Sequence, residues 1–239
     1  MTFCASGANA VLGRIVRKRY DLSQIPDKPN LEFENKLWQK NTRYVAGLDE
    51  AGRGALAGPL IAAAVILPAD RPDLMEALDG VRDSKQLTPK KREALVDAIK
   101  TTALYWAYGR VEAEEIDQKG ISLAGQFVFM RAIENLEQTP EHLLLDFFAI
   151  PQLPMFQTPI VKGDQRSLSI ACASVLAKTA RDEEMRTLDE IYPGYGFSQN
   201  KGYGTLAHRE AIERFGPCPQ HRMSFTLLPL QLPIPGLMD

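Results

Sequence analysis

The chain has 239 residues, 45% hydrophobic and 24% charged, with a formal net charge of −2, enough for one substantial core of ordinary soluble composition. No stretch approaches the ~18 consecutive apolar residues of a membrane span, and the N-terminus lacks the basic start and long apolar region of a secretion signal. A cytoplasmic protein is the expectation, and the charge neither demands nor excludes a nucleic-acid partner, since a basic face matters more than the total.

In chain order, residues 1–28 carry Arg14, Arg17, Lys18 and Arg19 without a sustained apolar period and read as a mobile arm. Residues 30–40 read as a short helix, with Leu31, Glu34, Leu37 and Trp38 at helical spacing and the apolar members facing the body. Residues 43–48 and 60–67 read as buried strands joined by a hairpin-length link. Thr88 as N-cap and Pro89 at the first position start a helix to residue 100, and residues 103–111 form a third strand. A helix over 121–137 follows, then short strands at 143–146 and 159–161 around a proline-rich loop. The longest helix runs over 167–191 and a last one over 207–215. Three successive strands followed by helix-linked strands imply a mixed α/β sheet covered by helices. The expected organisation is an arm and short helix over 1–43, a catalytic domain over 44–226 ending in a helical part, and a tail over 227–239.

The chemistry concentrates in YVAGLDEAGRGALAGP, where an apolar run ends in Asp49 and Glu50. Side chains alternate across a strand, so for both to face one site a turn must begin at them. Gly52 and Gly54 supply the turn, and Arg53 between them has a forked donor set suited to phosphate. Asp146 follows Leu143, Leu144 and Leu145, and Asp164 follows a second apolar run, so each lies at the carboxyl end of an apparent strand, where ligand sites in open α/β sheets gather. Converging carboxylates raise one another's pKa unless a cation neutralises them, and hard oxygen ligands suit magnesium or manganese. Asp164 has an alternative role as a cap for the helix that follows. Cys4, Cys172 and Cys218 have no CxxC spacing, and His142, His208 and His221 no ligand spacing, so structural or phosphate-facing roles are expected of the histidines.

GLDEAGRGALAGP, DSKQLTPKKRE, KGDQRSLSIACASVLAKTARD, YPGYGFSQNKGYGTLAH and HRMSF occur in that order over about residues 44–226. In this the chain resembles the ribonuclease HII family, the type 2 ribonucleases H of bacteria. The resemblance implies a ribonuclease H-like fold with a mixed five-stranded sheet and a C-terminal helical segment. It implies an endoribonuclease that cuts the RNA strand of RNA/DNA hybrids, and the 5′ side of single ribonucleotides in duplex DNA, by two-metal hydrolysis with Mg2+ or Mn2+. Asp49, Glu50, Asp146 and Asp164 match the catalytic and metal-holding carboxylates. Gly52, Arg53 and Gly54 match the turn that reads the ribonucleotide, and Tyr203 the tyrosine that stacks on a neighbouring sugar. The family usually has glycine where Phe147 follows Asp146 here. Candidates for the phosphate track are Lys85 and Lys178 first, then Lys90, Lys91, Arg92, Arg181 and Lys201. A monomer is expected.

Ribonuclease HIII is a rival with the same fold, opposed by the GRG turn and by the short stretch before the first strand. A nucleotide-binding module lacks GxxxxGK[ST]. The apolar tail holds a QLPI segment similar to sliding-clamp peptides, with packing against the body as the preferred reading.

Overall fold

The computed structural model describes residues 25–81 and 88–228. The basic cluster of the arm, Lys85 and the QLPI segment lie outside the described residues. Helix α1 (Glu32–Trp38) precedes β1 (Val45–Ala51) and β2 (Leu60–Ile66); α2 (Leu74–Ala77) and α3 (Pro89–Thr102) lead to β3 (Tyr105–Val111). Then come α4 (Ala113–Lys119), α5 (Ile121–Glu134), β4 (His142–Asp146), β5 (Phe156–Ile160), a 3-10 turn (Gly163–Gln165), α6 (Leu168–Ile191), α7 (Phe197–Asn200) and α8 (Leu206–Phe215).

The five strands form one mixed sheet in the order β3-β2-β1-β4-β5. β1, β2 and β3 are antiparallel neighbours, whereas β4 runs parallel to β1 and β5 parallel to β4. The all-apolar β2 is buried along its whole length, as a strand covered on both faces must be. One face packs on α5 through Ala46, Leu48, Leu60, Ala62 and Leu145. The other packs on α6 through Ala51, Ala63, Val65, Cys172 and Leu176. Gly47 decides how close α6 comes, because a Cβ there would collide with the backbone of Ser169 and Ile170.

The mixed five-stranded sheet agrees with the expectation, and Thr88 caps α3 as read, its side chain accepting from the Lys91 N–H. Three local readings change. Residues 113–119 form a helix of their own, and Ala103 ends α3 instead of opening β3. β5 begins at Phe156 and carries Pro159 inside it, which the edge position permits because only one side of the strand is paired. Glu34 in α1 is fully buried, and its Oε1 accepts from Ser167 Oγ (2.6 Å), Ser169 Oγ (2.7 Å) and Ser169 N (3.0 Å), tying α1 to the start of α6. Burial pushes the Glu34 carboxyl above the usual range, and the serine bonds offset part of that.

Candidate active site

The expectation that a turn begins at Asp49 and Glu50 is wrong. β1 runs regularly through Ala51, with Asp49 opposite Ala63, Glu50 opposite Ala62 and Ala51 opposite Ile61 on β2. The two carboxylates therefore lie on opposite faces of the strand. What lets them share a site is the other neighbour. Leu48 pairs with Leu145, so Asp146, the last residue of β4, is level with Asp49, and β1 projects past it. From Glu50 onward β1 has no partner on that side, and side chains from both faces meet around the open end.

Asp49 is buried on the α6 face, accepts a hydrogen bond from the Ser174 hydroxyl, and has Oδ1 2.8 Å from the Glu50 N–H. Burial holds its carboxyl well above the usual range, and the charges of Glu50, Asp146 and Asp164 push the same way, against the Ser174 bond. Asp146 Oδ1 accepts from the Gly163 N–H at 2.8 Å, which fastens the end of β4 to the 3-10 turn bearing buried Asp164. Asp164 does not cap α6; that role falls to Ser167, whose side chain accepts from the Ile170 N–H.

Two buried arginines hold the segment after β1. Gly52 has φ +100°, and a Cβ there would overlap the Arg181 guanidinium. Arg181 donates to the carbonyls of Pro59 (3.0 Å), Ala57 (3.1 Å) and Lys201 (2.8 Å). Arg222 donates to Gly58 O (2.8 Å) and to Arg53 O (3.2 Å), and burial lowers it to about 9. The loop bearing Tyr203 is joined to the same segment, since the Leu56 N–H donates to Gly202 O at 2.7 Å. Beneath it, His221 Nδ1 accepts from Cys218 N and lies 3.1 Å through Nε2 from His208 Nε2, while His208 Nδ1 is 2.9 Å from Tyr203 O. His221 Nδ1 also lies 3.2 Å from Cys218 O; with Nδ1 accepting instead from the nearer Cys218 N–H at 2.9 Å, His221 Nε2–H donates to His208 and His208 Nδ1–H donates to the Tyr203 carbonyl. Both histidines are held below their usual pKa by burial, His221 at about 4.

On the α5 side the site opens into a cleft of about 500 Å³ between Glu50, Arg53, Asp146 and the helix residues Ser122 and Gln126, with Phe147 and Phe148 as its apolar wall. Arg53 Nη1 is 3.7 Å from Glu50 Oε1, and the guanidinium lies 5.2 Å over the Phe148 ring. Two buried atoms on this wall, Arg53 Nη1 and Gln126 Oε1, have no hydrogen-bond partner. Phe147 has φ +73°, and the Phe148 N–H donates to Asp146 O at 3.0 Å. That closes a three-residue turn of the rare strained hand, and holding a non-glycine residue there costs on the order of 1 kcal/mol or more. The turn sends Phe148 inward against Phe129, ring centroids 5.8 Å apart, and leaves Phe147 72% exposed.

Residues 46–228 match the family model described as Ribonuclease HII. The chain belongs to the ribonuclease HII family. It is 51% identical over 201 residues to the Ribonuclease HII of Synechococcus sp. (strain JA-3-3Ab), covering 84% of this chain and 90% of that one. It is 47% identical over 223 residues to that of Anaeromyxobacter sp. (strain Fw109-5), covering 92% and 69%. Among solved structures it is similar to the ribonuclease H2 of Pyrococcus horikoshii OT3, with TM-score 0.65 and 25% identity over 77% of this chain and 94% of that one. It is also similar to the RNase HII solved in a PCNA complex from Archaeoglobus fulgidus, with TM-score 0.63 and 26% identity over 75% and 92%. Bst-RNase HIII in complex with Mn2+ shares the fold, with TM-score 0.60 and 21% identity over 78% and 68%. As a member of the ribonuclease HII family the chain is a metal-dependent ribonuclease H, an endoribonuclease acting on RNA/DNA hybrids.

The carboxylate group fits the family's requirement for a divalent metal in kind and in charge. Its donors are hard oxygens, and the negative charge crowded on Asp49 is what a cation would relieve. As the side chains stand, no three acidic, imidazole or thiolate groups among the described residues are arranged around one point. Asp49 and Asp146 each turn an oxygen to a backbone N–H, and Glu50 leans to Arg53. A carboxylate has about four lone-pair sites, so it can keep such a bond and take a cation as well.

The other expected contacts divide sharply. Lys178 Nζ is 2.6 Å from Asp182 Oδ1, with its side chain 20% exposed, and 6.0 Å from the centroid of the half-exposed Tyr203 ring. Arg181 and Arg92 are corrections, since both are buried, Arg181 spent on carbonyls and Arg92 paired with Asp182 at 2.8 Å. Ser174 and Arg222 went unread. Ser167, Ser174 and Arg181 recur at two-turn spacing on the buried stripe of α6, a signal that marks polar groups committed to partners.

Proposed function

We propose that this ribonuclease, besides cutting the RNA strand of hybrids, incises duplex DNA on the 5′ side of a single embedded ribonucleotide and so begins ribonucleotide removal in the cytoplasm. Asp49, Glu50, Asp146 and Asp164 hold magnesium or manganese. The observation that carries the reading is the course of the chain after Glu50. Only Ala51 separates the carboxylates of β1 from the Gly52-Arg53-Gly54 turn, and that turn is pinned through Arg53 O by buried Arg222 and flanked by Arg181. A turn that grips one sugar therefore presents the adjoining phosphate to the carboxylates without further adjustment.

The 2′-hydroxyl is both donor and acceptor, and backbone groups of the turn suit it as a partner. Arg53 stands beside Glu50 and supplies positive charge where the phosphate enters. Two divalent cations bound by the carboxylates would activate water in line with the phosphate and stabilise the departing 3′-oxygen. Asp49 must be ionised to serve as a ligand, and the Ser174 bond favours that form against burial and its acidic neighbours. Tyr203 and Lys178 take the strand on the α6 side, the ring against a sugar and the ammonium near a phosphate.

Three duplexes differing only at the centre test this: one ribonucleotide, one deoxyribonucleotide, and a run of four ribonucleotides, each with magnesium and with manganese. The single-ribonucleotide duplex should be cut 5′ of that residue, leaving a 3′-hydroxyl and a 5′-phosphate. Comparable cutting of the all-DNA duplex, or cutting of the four-ribonucleotide duplex alone, overturns the reading.

A further inference from the structure

Phe147 keeps a large apolar ring in water, next to a carboxylate of the candidate site, on a backbone that disfavours any residue but glycine. The turn serves the fold by sending Phe148 into the core on Phe129, but the Phe147 ring itself adds nothing to that packing. Strain of this kind persists where function uses it. The ring stands on the wall of the α5-side cleft, which also has two buried polar atoms without a hydrogen-bond partner, the donor Arg53 Nη1, ion-paired at 3.7 Å with Glu50, and the acceptor Gln126 Oε1. Such atoms are uncommon in a finished interior. Tyr203, the other exposed aromatic beside the site, lies against Lys178 and Arg181 of α6, across the sheet from α5.

We propose that Phe147 is a second substrate-binding platform, packing against a sugar of the cleaved strand on the α5 side while Tyr203 holds the strand on the α6 side, with Gln126 and Arg53 completing its polar contacts. The inference rests on the ribonucleotide-incision reading above. A paired base is buried in its stack, but the sugar faces of a duplex are open in the minor groove, and an apolar ring there needs no unstacking. Held from both sides, the scissile phosphate has little freedom to slide past the carboxylates.

The test compares Phe147→Gly, Phe147→Ala and Phe147→Tyr with the unaltered enzyme and with Tyr203→Ala. Binding of the single-ribonucleotide duplex is read by fluorescence anisotropy with the metal chelated, and KM and kcat are read with it present. Thermal melting is followed in parallel. Removing the ring should weaken binding about 10-fold, within the range of aromatic contacts to nucleic acid, in both the Gly and the Ala variant, with the larger change in KM and little change for Tyr. Phe147→Gly should also melt higher, because the strain goes with the side chain. A higher melting point with unchanged Kd and KM overturns the platform, as does weakened binding in Ala but not in Gly, which would trace the effect to the backbone. Cleavage of the duplex by the unaltered enzyme in the same assay separates this outcome from failure of the incision reading itself.

Discussion

The two faces of β1 are built to different standards. On the α6 face Asp49 is buried under Ser174, and a few residues further along the helix Arg181 is closed over by three carbonyls. On the α5 face Glu50 and Arg53 border an open cleft, the Arg53 side chain is 41% exposed, and buried atoms of Arg53 and Gln126 lack hydrogen-bond partners. The first face is a finished framework that sets positions before anything binds. The second holds its hydrogen-bonding capacity in reserve. An enzyme that aligns a phosphate needs both, since preorganised groups lower the barrier only if something rigid holds them.

Asp49→Asn should give the largest effect, at the meeting point of the faces. Losing a metal-holding carboxylate is expected to slow cleavage ~100-fold or more, while duplex binding stays near that of the unaltered enzyme. Stability should move the other way. A carboxyl held above its unfolded pKa stabilises the fold only below that unfolded value, and its contribution is lost as pH rises, so at neutral pH in chelator Asn should melt higher than Asp. A variant that cuts at near-native rate removes Asp49 from the site.

The arginines sharpen the contrast. Arg181→Met strands three carbonyls and should cost about 2 kcal/mol of stability or more, whereas Arg53→Met should cost under about 1 kcal/mol and instead slow cleavage of the single-ribonucleotide duplex, because its guanidinium is proposed to meet the phosphate. Denaturant midpoints beside cleavage rates of the single-ribonucleotide duplex decide it, and equal destabilisation would erase the distinction between the faces.

The smallest effect belongs to the histidine pair that supports Tyr203. Its members are neutral in the fold, so the unfolded chain binds protons first on acidification. Their contribution is complete above an unfolded pKa near 6.5 and is lost as pH falls toward the His221 value of about 4. His208→Asn should flatten stability against pH in that window, and an unchanged slope would remove the pair as its source.

Much of this was legible in order along the chain. Alternating and apolar runs mark the strands, Thr88 and Pro89 mark the start of α3, and the carboxylates stand at strand ends because the chain's polarity changes there. Asp164 was harder, since an aspartate ahead of a helix is as fit to cap as to bind; Ser167 takes the cap because its side chain reaches the Ile170 N–H. Arg92 and Arg181 misled for a general reason: a basic side chain reads alike whether it meets phosphate or a buried carbonyl.

What the sequence by itself determined is the set of groups proposed for the chemistry and most of the elements that carry them, because periodicity, caps and the DEAGRG stretch are local properties. Only the tertiary structure decided how Asp49 and Glu50, on opposite faces of a regular strand, come to share a site. That depends on β4 ending at the level of Asp49 and leaving the end of β1 open, which is a matter of register between strands nearly 100 residues apart. It likewise decided which arginines are buried framework and which border the open cleft, and that Phe147 stands out on a strained turn. Burial and strain are set by neighbours distant along the chain, and no local pattern records them.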